Sequence, residues 1–328
     1  MVEELLSTRR RDIGDLSRQY YPLFIASMNG HLEVVRQLLL WDGDGGKGDK
    51  GACCHVDTVE SSGATDAQTP LVIASWAGHA DVVRLLLRHG ADRRKADRNG
   101  VTALFMAAQE GHCETARALL EESSSDLGAA GEGEGEGEEE KGGAAAARSG
   151  PPSILGRIVD LADDDGVAPL HKAAAAGGGT TVELVRLLLE HGANAEAVDV
   201  DGETPLFRAA QAGAAAAAAL LLEHGVDVDR ATRSTTTCDQ EEEEEEDDDD
   251  DGETTAGNTT PLSIAAQGGH ADVVELLLRF GADGSSEDDS GATPLAHAEQ
   301  NGHSEIAALL LSAVAAAPAP ATAAKSFS

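Results

Sequence analysis

The segment GHADVVRLLLRHGAD, Gly78 to Asp92, returns as GHADVVELLLRFGAD from Gly269 to Asp283, with thirteen of fifteen residues unchanged. A catalytic centre is normally built once, whereas a segment that recurs is a structural unit meant to stack on copies of itself. A shorter phrase precedes each copy and extends the series. Its forms are YPLFIAS at Tyr21, TPLVIAS at Thr69, TALFMAA at Thr102, APLHKAA at Ala168, TPLFRAA at Thr204, TPLSIAA at Thr260 and TPLAHAE at Thr293, seven copies in all. The second residues of these phrases are separated by 48, 33, 66, 36, 56 and 33 positions. Every spacing becomes 33 once extra segments of 15, 33, 3 and 23 residues are set aside.

The physics of one unit can be read from the second copy. Thr69 suits an N-cap and Pro70 the first helical position, where no amide partner is needed. Leu71, Ile73 and Ala74 make a short apolar helix, which Ala77-Gly78 ends. The next helix directs Val82, Val83, Leu85, Leu86 and Leu87 inward and leaves Asp81, Arg84 and Arg88 to water. Gly90 is a left-handed terminator. Asp97-Arg98-Asn99-Gly100 reads as a β-turn leading into the next unit. A single unit has too little apolar surface to fold alone, so stacking must supply the core.

The 33-residue period, the T-P-L-H-x-A phrase and the G-H-x-x-V-V-x-x-L-L-x-x-G-A-D continuation resemble the ankyrin repeat family over about 230 of the 328 residues. One departure is that only the fourth copy carries the family's His, at His171. The others hold Phe24, Val72, Phe105, Phe207, Ser263 or Ala296, which affects a local hydrogen bond rather than the fold. The resemblance implies an all-α solenoid of about seven helix-turn-helix repeats with β-turn extensions, interrupted by disordered acidic and Gly-rich loops. The expected organisation is an N-terminal capping segment at 1–18, using Leu5, Leu6, Ile13 and Leu16, and repeat one at 19–41. A Gly/Asp-rich insertion occupies 42–67, repeats two and three 68–122, and an acidic Gly/Glu insertion 123–152. Repeats four and five take 153–231, a poly-acidic insertion 232–258, repeats six and seven 259–313, and an Ala/Pro tail 314–328.

Net charge is −35, and two tracts concentrate it: six acids lie in Glu132–Glu140 and thirteen in Asp239–Glu253. Without them 40 acids still face 24 bases. Such a surface disfavours nucleic acid and anionic membranes and favours basic partners. The longest apolar run, Ala214 to Leu222, has nine residues, against about 20 for a membrane helix. No signal-peptide pattern is seen, and four scattered cysteines suit a reducing compartment. The expectation is a monomer in the cytoplasm, with the nucleus as a second compartment. The tracts themselves cannot bury enough surface to fold.

Candidate chemistry has bland readings. His31, His79, His112, His270 and His303 recur after the turn Gly, but successive repeats sit about 10 Å apart, and zinc needs nitrogens about 2 Å away. Their role is at a helix start and in contact between repeats. His89, His191 and His224 suit helix C-termini. Cys53-Cys54-His55 lacks a second ligand pair. Asp163–Gly166 and Asp199–Gly202 read as repeat turns, because Lys172 and Arg208 stand where a calcium loop needs Glu. No phosphate-binding loop, nucleophile elbow, kinase set or H-E-x-x-H occurs. The expectation is no enzyme, cofactor or metal.

The resemblance places partner contacts on a concave face built from turn tips and first-helix ends. Carried over, these are Met28, Asn29, Trp76, Arg98, Asn99, Gln109, Glu110, Asp201, Gln211, Gln267, Gln300 and Asn301. The core columns are filled with Ala and Leu, whereas Trp76 falls in this groove column, and Trp is enriched in binding hot spots. The alternative for it is local packing against Met28 or the first insertion. Affinity is expected in the N-terminal half. The leading function is a non-enzymatic interaction scaffold or adaptor. The alternative is an acidic chaperone-like protein whose Glu/Asp tracts capture basic proteins such as histone tails.

Overall fold

The computed structural model describes residues 22–40, 56–57, 68–121, 158–176, 179–232 and 257–316. The expected capping segment, Cys53-Cys54-His55, both acidic tracts and the end of the tail lie outside the described residues. Fourteen α-helices in seven pairs make up the described chain, with one isolated bridge, Ala96 to Thr102, and no strand among these residues. The pairs are α1 Pro22–Met28 with α2 Leu32–Leu40, α3 Pro70–Trp76 with α4 Ala80–Arg88, and α5 Ala103–Gln109 with α6 Cys113–Leu120. They continue as α7 Pro169–Ala175 with α8 Gly179–Glu190, and α9 Pro205–Gln211 with α10 Ala215–His224. The last are α11 Pro261–Gln267 with α12 Ala271–Arg279, and α13 Pro294–Gln300 with α14 Ser304–Ala316.

Each first helix starts where the sequence asks it to. Thr69, Thr102, Thr204, Thr260 and Thr293 are N-caps whose hydroxyls accept from the backbone N–H three residues on, at 3.2–3.3 Å. Substituting such a cap costs about 1 kcal/mol. Ala168 has no hydroxyl to offer. There the Ala168 N–H donates to His171 Nδ1 at 3.1 Å, the local bond that the His of the opening phrase makes possible. In the other repeats this column is core: Phe24, Val72, Phe105 and Phe207 are all buried there.

Each second helix buries the residues its period predicts. Val82, Val83, Leu85, Leu86 and Leu87 of α4 are all buried, as are Val273, Val274 and Leu277 of α12. The run of alanines in α10 still forms a helix, with Ala217, Ala218, Leu221 and Leu222 inside and Gly225 ending it at φ +90°. Gly90 ends α4 at φ +86°.

The helices fall into two compact units, residues 1–194 and 195–328. Within the first, α1, α3, α5 and α7 pack in sequence, and α2, α4, α6 and α8 pack beside them. Within the second, α9, α11 and α13 form one layer and α10, α12 and α14 the other. The recurrent histidines tie neighbours together. His79 Nε2 lies 3.1 Å from the Met28 carbonyl, and His112 Nε2 lies 3.0 Å from that of Trp76. His270 reaches Gln211 at 3.0 Å and His303 reaches Gln267 at 3.1 Å. The ring therefore donates to the last carbonyl of the preceding first helix, one of the acceptors a helix end leaves open. This bears out the structural role expected of these side chains.

The lock explains the glycine that ends four of the first helices. Gly30, Gly78, Gly213 and Gly269 are left-handed at φ +69° to +78°. A Cβ on Gly78 would fall 2.8 Å from the His112 ring, whereas one on Gly90 would meet nothing within 4 Å. Gly90→Ala is expected to cost about 1–2 kcal/mol, the left-handed penalty alone. Gly78→Ala is expected to cost about 1 kcal/mol more, the value of the displaced hydrogen bond. In a His112→Ala background the excess should vanish, as urea denaturation of the four variants would show.

Candidate functional site

Four of the described turn tips are built by one aspartate each. Asp97 Oδ1 accepts from the Asn99 and Val101 amides at 2.9 and 3.0 Å. Asp163 does the same for Asp165 and Val167, Asp199 for Asp201 and Glu203, and Asp288 for Ser290 and Ala292. A short polar side chain that folds back on its own backbone is a strong turn former. Asp163 and Asp199 thus act as turn residues, in agreement with their sequence reading. Tips of adjacent repeats also bond: the Asp164 N–H donates to the Asn99 carbonyl at 3.0 Å, and the Asp289 N–H donates to that of Gly257 at 3.1 Å.

One tip is built without Asp. Thr232 stands in its place, its hydroxyl accepting from the Thr259 N–H at 3.1 Å, while Thr232 N–H donates to the Thr259 carbonyl. Asn258 takes the left-handed position at φ +61° that glycine holds elsewhere. The poly-acidic segment 233–256 thus stands where a single residue, the equivalent of Arg98, stands in an ordinary tip. Sequence reasoning left this tip unplaced, because Thr for Asp and Asn for Gly hide the pattern. Similarly, Asp57, read within the first insertion, accepts from the Asp92 N–H at 3.1 Å and pairs with Lys95 at 3.4 Å. Asp160 and Asp229 serve Asn194 and Asp283 in the same way.

The first helices border these tips. In repeat five, Arg208 Nη2 reaches Asp199 Oδ2 at 2.9 Å and its Nε pairs with Glu203. Burial raises the Glu203 carboxyl pKa, Arg208 lowers it, and Asp199 and Asp201 raise it again, leaving it above the usual value. In repeat seven the same helix position holds His297, 2.8 Å from Asp288 Oδ2. The residue three further on occupies the same helix face. That residue is Met28, Trp76, Gln109 or Ala175 in the first unit and Gln211, Gln267 or Gln300 in the second. The carry-over from sequence therefore falls on a real column, next to the position occupied by Ile25, Ile73, Met106, Lys172, Arg208, Ile264 and His297. That neighbouring column was not singled out beforehand, because its residue types differ in every repeat.

Exposure within the column is uneven. Trp76 is 45% exposed and Ile25, one repeat earlier, 37%. Met28 and Met106 are half-buried. Asn29, Arg98, Asn99, Gln109, Glu110, Asp201, Gln211, Gln267, Gln300 and Asn301 are all exposed. Asn29 and Asn301 bond the carbonyls of Ile25 and His297, and Gln109 bonds Glu110 at 3.2 Å. Lys172 Nζ sits 5.4 Å from the Phe105 ring centroid. In the first unit the two columns together offer Ile25, Met28, Trp76 and Met106 as an apolar strip, with Arg98 exposed on a tip. In the second unit the first column holds three glutamines, with exposed carboxylates on the tips. Of the tip positions before repeat two, Thr65 and Asp66 lie outside the described residues.

The second helices present a different surface. Arg84 lies within 3.6–3.8 Å of Asp81, Glu114 and Glu121, and Arg117 within 3.4–3.7 Å of Glu183 and Glu114. These are exposed pairs of little energetic weight. They form a solvated ionic face. No group of three or more His, Cys, Asp or Glu suited to a metal occurs among the described residues, and no described helix is long and apolar enough to cross a membrane.

The tip latch gives a test. Burial raises the Asp288 carboxyl, but donors at Ser290, the Ala292 N–H and His297 outweigh it and hold it below the ordinary carboxylate value. A lowered acid stabilises the fold above its unfolded pKa, about 4, and loses that contribution as pH falls through the folded value. Asp288→Ala should cost about 1–2 kcal/mol at neutral pH by leaving the half-buried Ala292 N–H and His297 without their acceptor. The gap from wild type should close below about pH 4 in urea titrations.

Comparison with known proteins agrees with this architecture. The family model for ankyrin repeats matches in three copies, over residues 23–129, 144–232 and 242–318. A 58-residue segment is 48% identical to the ankyrin repeat and LEM domain-containing protein 1 homolog of Caenorhabditis elegans, covering 18% of this chain and 8% of that protein. The ankyrin repeat domain of Bcl-3, a member of the IkappaB protein family, superimposes with a TM-score of 0.57 and 26% identity, over 88% of this chain and 98% of that one. The human ASB11 ankyrin repeat domain does so at 0.58 and 21%, over 89% and 98%. The matched family model spans most of the sequence, its period is the one the repeats display, and the chain belongs to the ankyrin repeat family.

Proposed function

We propose that this protein is a non-enzymatic scaffold or adaptor that holds a protein partner on the face formed by its turn tips and first-helix ends. Ankyrin repeats are a protein-interaction module, and the repeated residues here go into capping, turning and stacking. What varies between repeats is the exposed column and the tips, and variable side chains on a fixed frame are what a recognition surface requires. The observation that carries the reading is Trp76. It lies in this column and is 45% exposed although its own backbone carbonyl is fixed by His112. A large aromatic held rigidly yet left half in solvent makes a strong anchor for a partner. Ile25, Met28 and Met106 extend the apolar strip, and Arg98 supplies a charge at its edge. The partner works in the cytoplasm or nucleus.

Comparative affinity capture from a native extract tests this. The baits are wild type, Trp76→Ala with Gln109→Ala, and a deletion of residues 239–253. The expected outcome is that a defined partner is lost with the double variant and kept by the deletion, with affinity reduced about 30-fold or more, since a hot-spot truncation costs about 2 kcal/mol or more. Partners lost only with the deletion, and rich in Lys and Arg, would instead establish capture by the acidic tract.

A further inference from the structure

The second unit presents chemistry of its own on its tips and first helices. Gln211, Gln267 and Gln300 occupy one column in three consecutive repeats, and all three are exposed. Among the described residues no hydrogen bond engages their side-chain amides, whereas Gln109 in the first unit is taken up by Glu110. The backbone beneath two of them is fixed, because the Gln211 and Gln267 carbonyls accept from His270 and His303. First helices of adjacent repeats pack about 10 Å apart, and an extended chain in the polyproline II conformation advances about 3.1 Å per residue with three residues per turn, so that every third residue faces the same side. One amide therefore meets an extended peptide at every third residue. A primary amide carries both a donor and an acceptor, as a peptide main chain does.

Charge decides what kind of peptide. The described residues of this unit hold fifteen acidic side chains and three basic ones. Of the three, Arg208 is paired to Asp199 and Glu203, Arg230 is paired to Glu196, and Arg279 ends a second helix. On the tips and first helices, Asp201, Glu287, Asp289 and Glu299 are exposed. The described residues of the first unit are closer to balance, with fourteen acids and ten bases.

We infer that the second unit holds an extended basic segment of a protein, its main chain bonded at every third residue by Gln211, Gln267 and Gln300 and its Lys or Arg side chains directed to Asp201, Asp289 and Glu299. This rests on the reading of the tip and first-helix face as the binding face. It adds a second subsite with a partner of stated chemistry, separate from the Trp76 strip.

The test uses the full-length protein and a fluorescent twelve-residue peptide of four Lys-Ser-Val triplets, followed by anisotropy near physiological salt. Wild type should bind it and reject the Glu-Ser-Val counterpart. The triple variant Gln211→Ala, Gln267→Ala, Gln300→Ala should bind at least tenfold more weakly. Alanine is a strong helix former at exposed helical positions, and a melting curve checks the fold. Three peptides N-methylated at every Lys, every Ser or every Val test main-chain contact on unaltered protein. One frame should lose at least tenfold and the other two should not. Trp76→Ala should leave all of this unchanged. The inference fails if wild type does not bind the Lys peptide, if the triple variant binds as wild type does, if methylation acts equally in all frames, or if Trp76→Ala abolishes binding. Absence of Lys-peptide binding would leave the Trp76-centred reading intact, since affinity capture tests that separately.

Discussion

The bond from a histidine ring to the last carbonyl of the preceding first helix joins one repeat to the next. It forms at four junctions, where the left-handed Gly30, Gly78, Gly213 or Gly269 ends the first helix and leaves no Cβ where the neighbour's ring lies. The Cβ clearances at Gly78 and Gly90 separate two uses of the same residue: one glycine admits a neighbour, the other only turns the chain. The same bond fixes the backbone of Trp76, Gln211 and Gln267. Stacking and presentation of the exposed column are therefore one structural event. A side chain can be exposed at low entropic cost when its backbone is already ordered by the fold.

On this frame the two units diverge in chemistry. The first closes its second-helix face with ion pairs around Arg84 and Arg117 and leaves an apolar strip around Trp76. The second locks Arg208 and His297 onto tip aspartates and leaves glutamines and carboxylates outward. Pairing of Arg208 with Asp199 and Glu203 offsets its positive charge on that face. A chain with two such surfaces suits an adaptor that recognises two kinds of segment.

Most of the fold was legible because it repeats. Seven copies average out local noise, so the Thr caps, the Gly turns, the Asp tips and the buried Leu and Val positions could be read from a single unit. What was not legible lay where a repeat substitutes one solution for another. Thr232 and Asn258 do the work of Asp and Gly in a tip opened by 24 residues, and no local sequence signal says so. Asp57 lies between Val56 and Thr58 within the first insertion, and only its bond to the Asp92 amide assigns it to the repeat frame. The column of candidate contacts follows from register, and its side chains lie at first-helix ends, most of them exposed. The neighbouring column of Ile25, Met106, Arg208 and His297 was missed, because its meaning depends on which side chain reaches a tip.

The central claim is that partners meet this protein on the tip and first-helix face. Site-specific photocrosslinking addresses it most directly, with benzoylphenylalanine placed at Gln109 or Gln267 on first helices and at Arg88 or Glu275 on second helices. The account predicts that the first two positions crosslink a discrete partner in native extract and the last two do not. Crosslinks confined to Arg88 and Glu275 would contradict it.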